Sequence, residues 1–229
     1  MQDITVLSLG GSIIVPQAVD HMFLKQFVAA MEAHLKAYPE HKIILVTGGG
    51  ATARTYQQAY KEIIEDPDSD LLDWLGIAAT HINGTLVRTL FSPYCSDPLV
   101  IDPTAPIAFS GKILVAAGWK PGFSSDTDAV YLAKRFGAHR VINLSNIAKV
   151  YTADPKKDPA AVPLDSISWP EFRNMVGDTW VPGKNVPFDP IASKEAHEGN
   201  LQVICADGRN IENTFAILRG ELFEGTTIG

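Results

Sequence analysis

The sequence predicts an α/β domain in which a mostly parallel sheet is covered by helices on both faces. Three observations predict it. Short, nearly continuous apolar runs occupy residues 4–9, 42–46 and 141–144, as strands buried on both faces require. The segments between such runs are long enough for helices of ten or more residues, the crossovers that parallel neighbours need. Glycine clusters, Gly10-Gly11 and Gly48-Gly49-Gly50, follow the first two runs directly and stop each strand.

The elements follow in order. Residues 4–9 (ITVLSL) read as the first strand. Residues 19–35 place Val19, Phe23, Phe27, Met31 and Leu35 at four-residue spacing, which is an amphipathic helix. Residues 42–46 (KIILV) form the second strand, and residues 51–64 and 71–91 read as helices. Residues 99–101 and 113–116 are strand candidates. A helix is expected from about 128 to 136, strands at 141–144 and 202–205, and a last long helix at 210–218. Residues 151–189 are rich in Pro and Asp with weak periodicity, so loops are expected there, with one short helix near 169–175. There is no internal repeat, and the 229 residues read as a single domain spanning 1–229.

Composition narrows the function. A chain that is 46% hydrophobic and 20% charged is not mainly disordered. A net charge of −7 argues against a protein whose main task is gripping a nucleic-acid backbone. The two cysteines, Cys95 and Cys205, form no C-x-x-C pair, so neither a zinc site nor a disulfide scaffold is expected. No 18-residue apolar stretch or basic leader is present, which predicts a soluble, cytoplasmic protein with no membrane span. The six histidines lack an H-E-x-x-H pattern and are expected mostly at the surface.

In open α/β sheets, ligands bind at the carboxyl ends of the strands, which is where the glycine clusters fall. Glycine lets a backbone approach a ligand closely, and free N–H groups at a helix start attract phosphate. Two such loops on one edge could face a polyphosphate from two sides. The dinucleotide fingerprint G-x-G-x-x-G after a strand, the P-loop and the G-x-S-x-G elbow are all absent. A third loop, Gly118-Trp119-Lys120-Pro121-Gly122-Phe123-Ser124-Ser125-Asp126-Thr127-Asp128, offers hydroxyls and a lysine to a phosphate. Trp119 and Phe123 could flank a base, and Thr127 or Asp126 could cap the helix that follows. Residues 145–159 read, taken alone, as a polar loop.

Within that polar loop, Val150-Tyr151-Thr152-Ala153-Asp154-Pro155 and Lys156-Lys157-Asp158-Pro159 resemble the nucleotide loop of the amino-acid kinase family, most of all its archaeal-type uridylate (UMP) kinases. Other pieces agree in order. They are Leu9-Gly10-Gly11-Ser12, Gly48-Gly49-Gly50 with Arg54, and Asp73 with Gly76-Ile77 and Asn83. Next come Pro121-Gly122 through Thr127-Asp128-Ala129-Val130, then Asp189-Pro190 with Ala192 and Lys194, and finally Gly225-Thr226-Thr227-Ile228.

The resemblance implies a three-layer α/β/α fold and transfer of the ATP γ-phosphoryl to UMP with Mg2+, giving UDP and ADP. It implies an acceptor-binding N-terminal half, an ATP-binding C-terminal half, and a homo-oligomer, usually a hexamer built from dimers. ATP phosphates would meet Gly10, Gly11, Ser12, Gly50 and Arg54, and the adenosine side Ser145, Asn146, Tyr151 and Asp154. UMP would meet Gly49, Asp73 and the loop Trp119, Lys120, Pro121, Gly122, Phe123, Ser124, Ser125, Asp126 and Thr127. Asp189 would organise nearby cations or, alternatively, cap a helix.

Three features depart from the family pattern. Ala148-Lys149 stand where it has an Asp-Gly turn. Either Ser125-Asp126 or Thr127-Asp128 can match its Thr-Asp. Ser8 replaces the lysine that many relatives carry there, as the archaeal type also tends to do. Another small-molecule kinase of the superfamily, acting for example on N-acetylglutamate, and a non-catalytic binding or storage protein on the same fold remain as alternatives.

Overall fold

The computed structural model describes residues 3–155, 157–177, 179 and 186–229. The chain starts with β1 (Asp3–Leu9), a single-turn helix α1 (Gly11–Ile14), α2 (His21–Ala37), β2 (His41–Thr47), α3 (Gly50–Ile63), α4 (Ser69–Leu90) and β3 (Ile113–Ala116). It continues with α5 (Ser125–Phe136), β4 (Arg140–Ser145), β5 (Val150–Tyr151), β6 (Pro163–Leu164), β7 (Ser166–Ile167) and α6 (Trp169–Val176). The last elements are α7 (Pro190–Glu198), β8 (Gln202–Asp207), α8 (Ile211–Arg219) and β9 (Thr226–Ile228).

The main sheet has the order β3-β2-β1-β4-β8-β9-β7. Its first five strands are parallel; β9 runs against β8, and β7 runs with β9. From β1 the chain winds one way through β2 to β3, then the other way through β4 to β8. The winding direction therefore switches between β1 and β4, and the crevice outside their carboxyl ends is the favoured ligand position in such sheets. β5 and β6 form a separate antiparallel ribbon.

Alternate strand residues feed two cores, which explains why the apolar runs are unbroken. Leu7, Leu9, Ile43, Leu45, Ile142 and Leu144 pack with Phe27 and Met31 of α2, Phe91 and Phe215 on one face. Val6, Ile44, Val46, Val141 and Val203 pack with Ala129, Val130, Phe172 and Ala192 on the other. The result is three layers, helix on sheet on helix. No helix of the described residues is long and apolar enough to cross a membrane.

Several elements differ from expectation. Residues 99–101 make no strand; only Val100 bridges, to Ala116, between Pro98 and Pro103, which lack the N–H a ladder needs. α1 is too short to leave a periodic signature. α5 begins three residues earlier than periodicity indicates, because its first turn is polar. His34 and His41 are buried rather than at the surface. Their rings meet: His34 Nε2 lies 2.8 Å from His41 Nδ1, and His41 Nε2 meets the Asp3 carboxylate, while His34 Nδ1 is left without a partner among the described residues. Burial first, and then His41, hold the His34 pKa down to about 4.

Candidate active site

The first two glycine loops touch. The Gly10 N–H donates to the Leu144 carbonyl (2.8 Å), and the Gly48 N–H to the Leu9 carbonyl (3.0 Å). A Cβ on Gly11 would stand 2.0 Å from the Gly50 nitrogen and 2.7 Å from the Gly48 carbonyl carbon. Gly50 has φ +65°, a backbone state that L side chains rarely adopt. Rather than facing each other across a gap, the loops form one continuous floor at the switch point. The first turn of α3 leaves N–H groups without helical acceptors there, the basis of anion binding. Ser12 is half-buried on α1. Arg54, one turn into α3, donates to the Pro16 carbonyl at 3.2 Å.

Helix α4 joins this floor to the third loop. Asn83 Nδ2 donates to the carbonyls of Gly48 (2.7 Å) and Gly49 (3.2 Å). The Thr80 hydroxyl accepts from the Gly118 N–H (2.8 Å), and His81 Nε2 lies 2.7 Å from the Gly118 carbonyl. Asp73 Oδ2 accepts the Gly122 N–H at 2.9 Å. Gly49, Asp73 and the 119–127 segment thus come together.

Within that segment the arrangement corrects two expectations. Trp119 and Phe123 pack on each other, with ring centroids 4.8 Å apart, instead of standing apart as two sides of a base slot. Lys120 Nζ lies 3.9 Å from the Trp119 ring and 4.9 Å from Phe123. Mutual ring contact plus cation–π attraction outweighs leaving two rings in water. The helix cap is Ser124, which accepts from the Thr127 N–H, rather than Thr127 or Asp126. Pro121 and Gly122 form the turn, and Ser125, Asp126 and Thr127 belong to the first turn of α5.

Two carboxyl groups meet beside this turn. Asp189 caps α7: its Oδ1 accepts from the Ala192 N–H (2.7 Å) and the Thr127 hydroxyl (3.3 Å). The other Asp189 oxygen is buried without a partner among the described residues. The Asp126 carboxyl turns inward, accepting the Ser8 hydroxyl (3.2 Å) and the Asp189 N–H (3.3 Å). Burial first, and then the Asp189 charge, push the Asp126 pKa up to about 7. Asp189 is also raised by burial, against the pull of the Ala192 N–H and the Thr127 hydroxyl. The helix-cap reading of Asp189 is thus what the hydrogen bonds show.

On the far side of the crevice, Ser145 ends β4, and its carbonyl accepts the Gly208 N–H (2.9 Å). Asn146 is exposed just beyond it. Tyr151 is half-buried on β5, and Asp154 is exposed in the β5–β6 connection; Lys156 lies outside the described residues. Lys149 pairs with Asp165. Among the described residues, the only non-glycine residue with positive φ is Asn200, so the turn carrying Ala148-Lys149 is built without the left-handed residue that a glycine would serve.

Sequence reasoning missed three contributors. Ser8 is a lone hydroxyl in an apolar strand, and that polarity was its signal. Asp207-Gly208 is a further glycine turn at the same edge, on a strand read two residues too short. Asp128 is fully buried two residues after Asp126; the sequence offers it as a helix start and as one match to the family's Thr-Asp, with no signal of its burial. A cavity of about 390 Å³ opens elsewhere, between α2 and α8, lined by His34, Tyr38 and Phe215 among others. The glycine floor is not part of it.

Comparison with known proteins identifies the family and the fold. Residues 3–207 match the model of the amino acid kinase family. The chain is 32% identical to a uridylate kinase of Methanospirillum hungatei, over 97% of this chain and 93% of that protein. It is 35% identical to a uridylate kinase of Methanocorpusculum labreanum, over 98% and 94%. The crystal structure of a uridylate kinase from Archaeoglobus fulgidus superposes with a TM-score of 0.81 at 28% identity, covering 98% of this chain and 99% of that one.

Proposed function

The chain belongs to the amino acid kinase family, and from that premise we propose that it is a uridylate kinase, transferring the γ-phosphoryl of ATP to UMP to give UDP and ADP. The observation that carries the reading is the near full-length likeness to archaeal uridylate kinases, on a chain whose glycine loops meet at the switch point of the sheet. Donor and acceptor would lie on either side of that floor.

In this reading the ATP phosphates rest on Gly10, Gly11, Ser12 and Gly50, with Arg54 reaching toward them. Ser145, Asn146, Tyr151 and Asp154 border the adenosine. UMP takes Gly49, Asp73 and the segment from Trp119 to Thr127. A phosphate acceptor is already largely ionised near neutral pH, its second pKa lying near about 6. No residue needs to strip a proton from it, and catalysis reduces to alignment and charge neutralisation. Mg2+ arrives as part of the donor, MgATP. Asp189 is a positioning residue: it fixes the start of α7 and, through Thr127 and Asp126, the first turn of α5.

Both cysteines are free and buried, which suits a reducing, cytoplasmic setting. The protein acts as a homo-oligomer in this reading. Leu71, Trp74 and Ile82 are about half exposed or more along one side of α4, and a contiguous exposed apolar stripe marks an interface.

The test is ADP release from MgATP with UMP, CMP or N-acetylglutamate as acceptor. Turnover confined to UMP, or much faster with it, supports the proposal. A preference for N-acetylglutamate would move the enzyme to another branch of the family, and no turnover with any acceptor would point to a binding protein.

A further inference from the structure

His81 has no task in the chemistry above, yet it holds the peptide from which the acceptor segment departs. It is half-buried on α4, and its Nε2 lies 2.7 Å from the Gly118 carbonyl. A carbonyl oxygen can only accept, so that ring nitrogen carries the hydrogen and donates it. The preceding residue, Thr80, holds the other side of the same glycine. Its hydroxyl donates to the Ile77 carbonyl (2.7 Å) and accepts the Gly118 N–H (2.8 Å). Gly118 itself is pressed onto the helix: a Cβ there would stand 2.9 Å from Thr80 Oγ1 and 3.4 Å from Ile77 Cγ1.

Peptide units are planar, so the chain changes direction only through φ and ψ between successive planes. Glycine leaves those two angles more freedom than any other residue. The close approach to α4 therefore requires a glycine that, by itself, leaves the next peptide plane free to turn. Thr80 fixes the plane before Gly118, through its N–H, and His81 fixes the plane after it, through its carbonyl. That second plane carries the Trp119 N–H and sets the direction in which Trp119 leaves the helix. Trp119 in turn packs on Phe123 and lies under Lys120, and the segment returns to α4 where Asp73 takes the Gly122 N–H. The tie between α4 and the glycine floor is separate, because it runs through Asn83 to the Gly48 and Gly49 carbonyls.

We propose that His81 is a positioning residue for the acceptor: by donating Nε2–H to the Gly118 carbonyl it locks the Gly118–Trp119 peptide plane and so aims the segment from Trp119 to Thr127. It acts through that peptide and does not touch the acceptor itself. Without the donor, Gly118 regains its freedom and the segment must be ordered at the cost of acceptor binding. The proposal rests on the uridylate kinase reading only for the identity of the acceptor. Removing the donor should raise the KM for UMP roughly five- to tenfold, the scale of one net hydrogen bond, and leave the KM for ATP within about twofold.

The test compares wild type with His81→Leu, which keeps bulk without a donor, and His81→Gln, whose amide can donate from a similar reach. Amide hydrogen exchange of the ligand-free proteins comes first, so this part does not depend on activity. Faster exchange is expected in His81→Leu for peptides covering residues 118–123 but not for those covering the second strand and its glycines, with His81→Gln close to wild type. Steady-state kinetics follow, with the rise in KM confined to UMP in His81→Leu and reversed in His81→Gln. If His81→Leu does not fold, the wild type decides by NMR: a His81 ring proton on Nε2 that is protected from solvent supports the proposal, and a neutral ring protonated on Nδ1 overturns it. Wild-type exchange and KM in His81→Leu, KM values for UMP and ATP that rise together, or a His81→Gln variant as impaired as His81→Leu would each overturn it. A wild type that turns over no UMP, with exchange loosened in His81→Leu and restored in His81→Gln, would count against the acceptor's identity and support the hold on the segment.

Discussion

Gly11 has no room for one methyl group. With a would-be Cβ 2.0 Å from the Gly50 nitrogen, Gly11→Ala must push the two loops apart, and the obstacle is backbone rather than a flexible side chain. The expected outcome is a loss of turnover by roughly a hundredfold or more, the scale of misplacing a preorganised donor, together with a lower melting temperature. Near-wild-type kinetics would show that the floor plays no part in holding the donor. Asp73 supports a different forecast, because its tie to the Gly122 N–H uses one oxygen and leaves the other for a ribose hydroxyl. Asp73→Asn keeps the shape and removes the charge. UMP affinity should weaken about tenfold, from the loss of charged hydrogen bonding, while ATP affinity stays within about twofold. Calorimetric titration with each nucleotide separates the two effects.

At the scale of elements, helix starts shape the site. Ser124 begins α5 and Asp189 begins α7, and the Thr127–Asp189 hydrogen bond ties the two starts together. Replacing Asp189 tests which property matters. Asn can still accept the Ala192 N–H, so Asp189→Asn should keep most of the stability, whereas Asp189→Ala loses the cap at a cost of about 1 kcal/mol. If Asp189 acts only as a cap, the Asn variant should retain full turnover. If its charge orders the site through Thr127 and Asp126, turnover should fall in both variants. Thermal melts paired with initial rates distinguish these outcomes. On α4, the exposed stripe of Trp74 and Ile82 predicts that Ile82→Glu lowers the particle mass measured by light scattering. A wild-type protein that is already monomeric at assay concentration would remove the oligomer proposal.

For the whole molecule, buried titratable groups set opposing pH trends. Asp126 and Asp128 have folded-state values raised to about 7 from 3.8. Between those values the native state holds protons that the unfolded chain has released. The stability they confer is complete below about 3.8 and is lost as pH rises through about 7. His34 works the other way. Its value falls from 6.5 to about 4, so its contribution is complete above 6.5 and is lost as pH falls through about 4. Between pH 4.5 and 6.5 the two carboxyl groups outweigh the one imidazole, so the wild-type melting temperature should rise on acidification across that range. In an Asp126→Asn, Asp128→Asn double variant it should drop steadily on acidification across that range. A scanning-calorimetry series in which wild type and variant have parallel pH profiles would contradict the assignment.

The sequence by itself determined the layered α/β architecture and the edge of the sheet where the chemistry gathers. Short unbroken apolar runs such as KIILV, stopped directly by glycine, read as strands covered on both sides, and the glycine marks where those strands end. These are local signals, readable because burial and backbone freedom act residue by residue. The tertiary structure alone decided that Gly11 and Gly50 abut, that Ser124 rather than Thr127 caps α5, and that Trp119 packs on Phe123 instead of facing it across a base slot. It also decided which of Asp126 and Asp128 meets Asp189. Each of these depends on contacts between segments far apart in the chain: Ser8 with Asp126, Thr127 with Asp189, Asp73 with Gly122. A polar loop such as SSDTD offers several nearly equivalent caps and carboxylates. The choice among them falls to whatever packs against it from β1 and α7, and no periodicity within the loop encodes that.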